Sequence, residues 1–498
     1  MGGLAESAQA SGLSVDSAAV SRSLQAFQIR RDAAFEQIMH LPPVSSVNSD
    51  EEIYANKMAS YTKGMPHNHL GEVDPDAYAV FLKAMRTGNP DDCAAIPMAS
   101  QVNPMAAFAF QLMGADSHDL SLPAAPAFAS VTQAGEMAEL YWAALARDVP
   151  FSQYGLEPVT AAAIQDLKRF PAYSHVNAGN LFRASLPGEE VGPYISQFLL
   201  QPIPYGMTTI TQSYRIGDAG RDYLTDYDDW LAIQNGSLAK APTFTKAQYI
   251  SNARGLAEYV HTDFTYQAFL NAALILLSYG REALADSNPY KQTLGNQQGF
   301  ISHGAADILS MIAEASHCAL KAAWYQKWAL HRKLRPEMLG GRVHNHMTSA
   351  AHYPIDAMLL DSPVLEQVFS QHGSYLLPSA YPEGSPLHPS YPAGHGAIAG
   401  ACVTVLKACF NESFVIPKPL VSTDDGQQLI PYEGTLTVGG ELNKLASNIP
   451  RGRDLAGVHY LSDGYQGLLL GQAVATAMLK DVKRTYSESF SGFTFSPF

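Results

Sequence analysis

The chain contains residues suited to binding an oxyanion, and the first group lies in residues 387–410. His388 and His395 stand seven positions apart around a Pro-Ala-Gly turn, and a run rich in Ala, Ile and Val follows. This pattern predicts a loop that leads into a buried helix. The N–H groups of a first helical turn lack partners within the helix, so with the helix dipole they can bind an anion. Gly394 has no side chain there, so an anion can approach its backbone closely. The alternative is a plain helix N-terminus with two ordinary histidines.

The second group lies in the segment KWALHRKLRP, residues 327–336. Lys327 stands among apolar and aromatic residues of a predicted helix, and Arg335 comes at the predicted C-terminal end of that helix, just before Pro336. Each also has an ordinary structural interpretation. Lys327 could extend its amine to solvent, and Arg335 could bind carbonyl groups at the helix end.

The third group lies in the segment RDLAGVHYLSD, residues 453–463. Arg453 and His459 flank a short, mostly apolar stretch, and Asp463 follows His459 by four positions. At that spacing the Asp463 carboxylate could accept an imidazole N–H, which would fix the tautomer of His459 and raise its basicity. Arg453 could instead pair with a surface carboxylate.

Taken together, the three segments offer two arginines, one lysine, two histidines and a glycine at a helix N-terminus. Arginine supplies forked donors and lysine a point charge, while histidine can be a nucleophile or a metal ligand. This set fits a tetrahedral or trigonal-bipyramidal oxyanion such as phosphate or vanadate. The set as a whole therefore favours a functional pocket over several unrelated structural roles.

Hydrophobic periodicity predicts the elements that must position these groups. Helices are expected over residues 18–38, 130–148, 157–170, 247–279, 301–334 and 462–483. Ser130 with Gln133 predicts a capping box, and Ser462 is the expected N-cap of the last helix. Strands are expected at 207–216, as one arm of a hairpin, and at 435–438. Residues 61–127, 340–386 and 411–440 are predicted to be mostly irregular connections.

Composition limits the class of protein. Of 498 residues, 47% are hydrophobic and only 16% are charged, so a large core is feasible. The net charge of −14 argues against a broad surface for nucleic acid. No apolar run reaches the ~20 residues needed to span a bilayer, and no secretory signal is evident. We therefore expect a soluble protein, with the cytoplasm favoured. The four cysteines suggest neither a disulfide scaffold nor a zinc site.

The segments KWALHRKLRPE, HPSYPAGHG and RDLAGVHYLSD resemble the three signature segments of the vanadium-dependent haloperoxidases. The similarity is closest to the algal bromoperoxidases, and it covers the chain from about Tyr61 to Gly471 through further stretches such as YTKGMPHNHLGEVDPD and LLPSAYPEGSPLHPSY. The same triple motif occurs in a wider superfamily that includes acid phosphatases. The long matching stretches favour the haloperoxidases.

This resemblance implies an all-α fold with two four-helix bundles in one domain, long loops and a few short strands. Residues 1–60 would form an N-terminal arm and residues 61–498 the helical domain. The bundle that carries the active site would span about 301–485. A homo-oligomer, a dimer or larger, is expected, with the arm lying on a neighbouring subunit.

The resemblance also implies a role for each site residue. His459 would bind vanadium directly, and Lys327 would neutralise vanadate oxygens and polarise peroxide. His395 would contact the apical oxygen and act as acid and base. His388, Ala393 and Asp463 would contact the cofactor-binding residues rather than the cofactor itself. The residues expected to hold vanadate are Lys327, Arg335, Gly394, His395, Arg453 and His459.

The activity that the resemblance implies is oxidation of bromide and iodide by hydrogen peroxide. The hypohalite-like product would halogenate electron-rich organic substrates. Two other functions stay open from the residues. An acid phosphatase would use His459 as nucleophile and His395 as general acid, and a degenerate site would bind an oxyanion without catalysis.

One position departs from the family pattern. Ala393 stands where the family usually has a serine whose hydroxyl contacts a vanadate oxygen. The missing hydrogen bond is worth about 1–3 kcal/mol to a charged acceptor. We therefore expect weaker vanadate retention rather than loss of function. In the algal relatives a calcium site lies near the stretch that matches Leu294–Ser302, but here that stretch is Gln-rich and acid-poor, so calcium is not expected.

Overall fold

A computed structural model of the chain describes residues 17–39, 45–291 and 296–498. Most of its regular structure is helical, which confirms the predicted mainly α fold. The α-helices, numbered in chain order, are α1 Ser17–Met39, α2 Asp50–Ile53, α3 Pro75–Thr87, α4 Pro90–Ala94, α5 Val131–Leu145, α6 Pro158–Leu167, α7 Tyr227–Gln234, α8 Ala253–Tyr259, α9 Gln267–Ser278, α10 Ala305–Trp324, α11 Pro336–Met347, α12 Ala357–Leu360, α13 Pro363–His372, α14 Gly394–Cys409, α15 Val438–Leu455 and α16 Leu461–Lys483.

Helices α10, α14, α15 and α16 pack together in the C-terminal half. Small residues bring α14 and α16 unusually close. A Cβ added to Gly400 of α14 would lie 2.0 Å from the carbonyl oxygen of Leu468, and one added to Gly471 of α16 would lie 2.0 Å from that of Ala397. Only glycine fits at these two positions. The close contact fixes the N-termini of both helices next to each other.

A second group of helices packs around α5. Helices α6, α12 and α13 contact α5 directly, and α8 packs against α15 of the first group. Helix α5 is buried along most of its length, including Trp142 and Tyr141. One continuous hydrophobic core joins the two groups, so the loops between them are held from both sides.

The β structure consists of three two-stranded antiparallel sheets within the described part of the chain. The strands are β1 Ile203–Tyr205, β2 Thr208–Ile210, β3 Tyr214–Gly217, β4 Phe244–Gln248, β5 Leu420–Ser422 and β6 Leu429–Pro431, paired in chain order. The strand predicted at 207–216 is thus divided between two sheets, although β1 and β2 do form the expected hairpin. The strand predicted at 435–438 is reduced to a single β-bridge, between Thr437 and Val415, because Val438 begins α15.

Several predicted helix bounds are also wrong. The single helix expected over 247–279 is a strand followed by α8 and α9, and the connection expected over 340–386 contains most of α11 as well as α12 and α13. The predicted connections over 61–127 and 411–440 contain α3, α4 and the start of α15. Short polar or glycine-containing helices give weak periodicity, so tertiary packing decides them.

The two predicted N-caps differ in outcome. The hydroxyl of Ser130 accepts the N–H of Gln133, as expected, but the Gln133 side chain makes no hydrogen bond, so only half of the capping box forms. Ser462 is not the N-cap of the last helix, because that position is occupied by Tyr460. Ser462 instead donates its hydroxyl to Glu136, which ties α16 to α5.

The N-terminal helix predicted over 18–38 is confirmed as α1. Part of the predicted arm, residues 1–16 and 40–44, lies outside the described residues. The same holds for Leu294 and Gly295, which belong to the stretch where calcium is not expected. Within the described ranges, no helix is both long enough and apolar enough to cross a bilayer. The expected cytoplasmic location and the domain bounds stay predictions.

Candidate active site

The loop before α14 positions one part of the site. Ala393 is the N-cap of α14, and no side chain caps the helix there. The N–H of Ala393 donates to the carbonyl of Asp463 at 2.8 Å, which joins this loop to the start of α16. Gly394 and His395 therefore occupy the first turn, where backbone N–H groups have no partner within the helix.

Lys327 lies in a π-helical turn, Tyr325–His331, that continues α10. The sequence predicted ordinary α-helix here, but the chain widens for one turn before Arg332 ends it with a positive φ of 38°. Lys327 is fully buried, and its amine donates to the carbonyls of Pro389 and Ser390 at 2.7 Å each. Extension of Lys327 to solvent is thereby excluded.

Arg335 is the N-cap of α11 rather than the end of the preceding helix, so its predicted position was wrong by one element. Its guanidinium is fully buried and contacts both other signature segments. Nε donates to the carbonyl of His388 at 2.9 Å, Nη2 lies 2.9 Å from His388 Nδ1, and Nη1 donates to the carbonyl of Val458 at 2.8 Å. Nη1 also lies 2.9 Å from Nε2 of His459. Arg335 therefore links the three segments.

His459 is held between a cation and a carboxylate. Its Nδ1 lies 2.9 Å from Oδ2 of Asp463, as the four-residue spacing predicted. Arginine has no acceptor, so the contact with Arg335 requires a lone pair on Nε2 of His459. The proton therefore sits on Nδ1 and is donated to Asp463. Burial, followed by the positive charges of Arg335 and Lys327, keeps the pKa of His459 well below its ordinary value.

Arg453, near the end of α15, brings a third cation. Its Nη1 donates to the carbonyl of Val260 at 2.8 Å, and its guanidinium lies 5.2 Å from the ring centre of Tyr381. Arg453 is 6% exposed, and its buried Nε has no hydrogen-bond partner among the described residues. Within the described part of the chain, Arg453 pairs with no surface carboxylate, so the ordinary interpretation of this residue fails there.

Among the three histidines of the site, His395 is the most accessible, with a quarter of its side chain exposed. Its Nε2 lies 3.0 Å from Oδ1 of Asp263. Asp263 lies 132 positions away in a short loop between α8 and α9 that carries no motif, so no sequence pattern predicts this contact. Ser390, whose hydroxyl donates to Asp463, was not predicted either.

His388, the first histidine of the segment HPSYPAGHG, is buried behind Arg335. Besides its contacts with Arg335, its ring lies 4.9 Å from that of Trp324. Burial and the charges of Arg335 and Lys327 lower the pKa of His388 well below its ordinary value. His388 is thus a neutral ring that supports the guanidinium.

The electrostatics of the site suit an anion. Burial, then the charge of Arg335, lowers the pKa of Lys327 well below its ordinary value, although Asp463 opposes this. Burial and the charge of Arg453 lower the pKa of Arg335 to about 10. Burying several positive charges that repel one another costs free energy unless an opposite charge binds between them.

The residues present fit vanadate. Nε of Arg453, which has no partner among the described residues, and the uncapped first turn of α14 supply donors. Nε2 of His459 supplies the ligand atom, and its lone pair is directed at Arg335 in this structure. Lys327 and Arg335 add positive charge. A three-cation pocket with one neutral imidazole matches the charge and coordination needs of an oxyanion that also takes a nitrogen ligand.

Comparison with known proteins gives a consistent result. Residues 307–488 match the family described as the VCPO second helical-bundle domain. The vanadium-dependent bromoperoxidase of Ascophyllum nodosum is 35% identical, with 96% of this chain and 91% of that protein covered. That of Corallina officinalis is 34% identical, with 94% and 96% covered.

A solved structure agrees with these relatives. The second vanadate-dependent bromoperoxidase of Ascophyllum nodosum, described as homohexameric, superimposes with a TM-score of 0.89 at 28% identity. The match covers 95% of this chain and 88% of that one. With its three signature segments joined at the buried guanidinium of Arg335, the chain belongs to the vanadium-dependent haloperoxidase family, on its bromoperoxidase branch.

Proposed function

We propose that this enzyme binds vanadate and uses hydrogen peroxide to oxidise bromide, and iodide, to a hypohalite-like species that halogenates electron-rich organic molecules. The observation that carries the proposal is the buried cluster of Lys327, Arg335 and Arg453 beside His459, whose Nε2 carries the lone pair. When bound, vanadate supplies a Lewis acid that activates peroxide toward halide.

His459 and the three cations each have a distinct role in this proposal. His459 Nε2 provides the nitrogen ligand, and the hydrogen bond from Nδ1 to Asp463 keeps that lone pair available. Arg335 and Arg453 balance the charge of the oxyanion, and Nε of Arg453, which has no partner among the described residues, can donate to it. Lys327, held by two carbonyls, presents its remaining N–H to the pocket, where it polarises bound oxygen.

Proton movement is assigned to His395. Its imidazole stands at the accessible edge of the site, and Asp263 accepts from or orients its Nε2. The opposite nitrogen, Nδ1, is then the atom that exchanges a proton with peroxide and with oxyanion oxygens. Asp263 fixes the orientation of the ring.

The decisive experiment compares two reactions of the same purified protein. Apo-protein is loaded with vanadate and assayed with peroxide, bromide and a phenolic dye, and the vanadate-free protein is assayed with an aryl phosphate. Bromination that requires vanadate supports the proposal. Release of phosphate without bromination would assign the pocket to a phosphatase. If the protein catalyses neither reaction, the site binds an oxyanion without catalysis.

We also propose that the chain is a homo-oligomer. Helix α1 contacts the body through Glu36, which pairs with Arg484, and Gln37, which donates to Asp481. Its outer face carries large apolar side chains that are about half exposed or more, namely Leu24, Phe27, Phe35 and Ile38. Exposed apolar patches of this kind are typical of subunit interfaces.

Light scattering on the purified protein tests this assembly. The double substitution Phe27→Ser with Phe35→Ser should lower the particle mass, because it removes two rings from the outer face of α1. Leu238→Ser, at a side chain that is 99% exposed in a loop, is the matched control and should leave the mass unchanged. A wild-type protein that is monomeric at micromolar concentration would contradict the proposal.

A further inference from the structure

Lys333 is a buried cation close to the site, and no role follows for it from the oxyanion pocket itself. It lies between the π-helical turn and α11, and only 4% of it is exposed. Its Nζ makes no hydrogen bond with the described residues. The nearest charged atoms are Oδ1 of Asp463 at 3.7 Å and Oε2 of Glu136 at 4.0 Å.

The two oxygens of Asp463 are used very differently. Oδ2 lies 2.9 Å from Nδ1 of His459 and also accepts from the hydroxyl of Ser390 and the N–H of Tyr460. Oδ1 is buried and has no hydrogen-bond partner among the described residues. The charge that faces Oδ1 is the ammonium of Lys333.

The amine of Lys333 is held in place by its surroundings. It stands 4.1 Å from the ring centre of Tyr460, at a distance typical of a cation–π contact. The backbone of Lys333 is fixed as well, since its carbonyl accepts the N–H of Ser390 at 3.0 Å. An ammonium fixed on one side of a carboxylate restrains the rotation of that carboxylate about its last bond.

We propose that Lys333 is a positioning residue for the oxyanion site: it holds Oδ1 of Asp463, so that Oδ2 stays on Nδ1 of His459 and the Nε2 lone pair stays directed into the pocket. This inference rests on the proposed function, in which Nε2 is the vanadium ligand. Lys333 itself contacts neither oxyanion nor substrate, so it acts only through Asp463.

Glu136 competes for the same cation. It lies on α5, is 3% exposed, and accepts the N–H and the hydroxyl of Ser462 at 2.8 and 3.1 Å. Burial raises its pKa to about 7, against the opposing effect of Lys333. Glu136 thus gives Lys333 a second counter-charge without contacting His459.

This arrangement provides matched variants. Lys333→Met alone leaves two buried carboxylates without their cation and could simply unfold the protein. Lys333→Met combined with Glu136→Gln removes one of those carboxylates, so the remaining effect is on Asp463. Glu136→Gln alone and Lys333→Arg are the controls, because both keep a cation beside Asp463.

Two measurements that do not depend on turnover test the inference. Equilibrium dialysis against vanadate, followed by vanadium analysis, gives the dissociation constant of each variant. NMR of protein labelled with 15N-histidine reports which nitrogen of His459 carries the proton, with or without vanadate. Thermal unfolding shows that each variant is folded.

We expect the double variant to bind vanadate about 10-fold or more weakly, as is typical when a group behind a metal ligand is removed, and to show a mixture of His459 tautomers. Lys333→Arg and Glu136→Gln should stay close to wild type in both measurements. A folded double variant with wild-type vanadate affinity and a single tautomer would overturn the inference. A wild-type protein that binds no vanadate would refute the proposed function instead, and the tautomer measurement would still decide the role of Lys333.

Discussion

Nη1 of Arg335 lies 2.9 Å from Nε2 of His459. Because a guanidinium only donates, this contact determines the tautomer of the imidazole, and the bond from Nδ1 to Asp463 on the other side agrees with it. The two neighbours therefore prepare the same state, a neutral ring with its lone pair on Nε2. That is the form in which histidine binds a metal.

Replacing His459 with alanine should abolish vanadium retention and bromination, since no other nitrogen ligand is aimed at the pocket in the proposed arrangement. Vanadium analysis after gel filtration and the dye assay would measure the two losses. His352→Ala, at an exposed histidine outside the site, is the control and should behave as wild type. Tight vanadium in the His459 variant would mean that the ligand assignment is wrong.

Inorganic phosphate should slow the formation of active enzyme from apo-protein and vanadate. Both anions present tetrahedral oxygens and negative charge to Lys327, Arg335 and Arg453, so they should compete for one pocket. The rate of reconstitution would be followed by bromination at increasing phosphate. Rates that are unaffected by a large excess of phosphate over vanadate would contradict a shared site.

The site was more predictable from sequence than the elements around it. The turn before Gly394 and the four-residue spacing of His459 and Asp463 are local patterns, and local geometry follows from them. Helix α15 was not predicted, because its sequence lacks such a local pattern. It contains Pro450 and three glycines, which have low helix propensity, and its polar side chains are buried as fully as its apolar ones. Packing on all sides compensates for that low propensity.

Two further features lay outside the reach of sequence patterns. The π-helical turn that carries Lys327 differs from α-helix by one residue per turn in hydrogen bonding, and side-chain periodicity over seven residues does not distinguish the two. Asp263 approaches His395 only through the packing of α8 against α15. A contact between residues this far apart in the chain leaves no recognisable spacing in the sequence.

Asp263→Asn should lower turnover while leaving vanadate affinity nearly unchanged. Asparagine keeps the shape of the side chain but replaces the carboxylate that contacts Nε2 of His395, so proton exchange should slow by about 10-fold or more. Turnover number and vanadate dissociation constant would be measured together, with exposed Asp361→Asn as the control. An equal loss in both quantities would instead assign Asp263 to oxyanion binding.

The free energy of unfolding should depend on pH through His261. Burial alone would lower its pKa, but hydrogen bonds to Glu258 and Glu383 outweigh this and raise the pKa to about 9. Because the folded-state pKa is raised, the stabilisation is complete below about pH 6.5 and is lost as the pH rises through about 9. A shift of that size corresponds to about 3 kcal/mol, but Glu383 is 45% exposed, so we expect about 1–2 kcal/mol.

His261→Phe isolates this effect, because a phenyl ring can keep the stacking on Tyr381 at 3.8 Å. Denaturant unfolding of both proteins at pH 6 and pH 10 would give the difference in stability. The variant should be the less stable protein at pH 6, and the gap should narrow by pH 10. A gap that does not change with pH would show that the ion pairs contribute nothing.

Ala393→Ser should tighten vanadate binding. Ala393 is fully buried at the N-cap of α14, with φ −68° and ψ 129°, a backbone conformation that serine adopts readily. The new hydroxyl can donate to an oxyanion oxygen, a gain of at most about 1–3 kcal/mol, or roughly 5–150-fold in dissociation constant. Titration of apo-protein with vanadate, scored by bromination, would measure it.

The same hydroxyl can also cap α14, since no side chain does so now. Capping alone should raise the stability of the vanadate-free protein by about 0.5–2 kcal/mol without any change in affinity. Thermal unfolding without vanadate therefore separates the two effects. If Ala393→Ser stabilises the apo-protein but binds vanadate no better, the hydroxyl is turned toward the helix, and the residues already present supply every donor that the oxyanion uses.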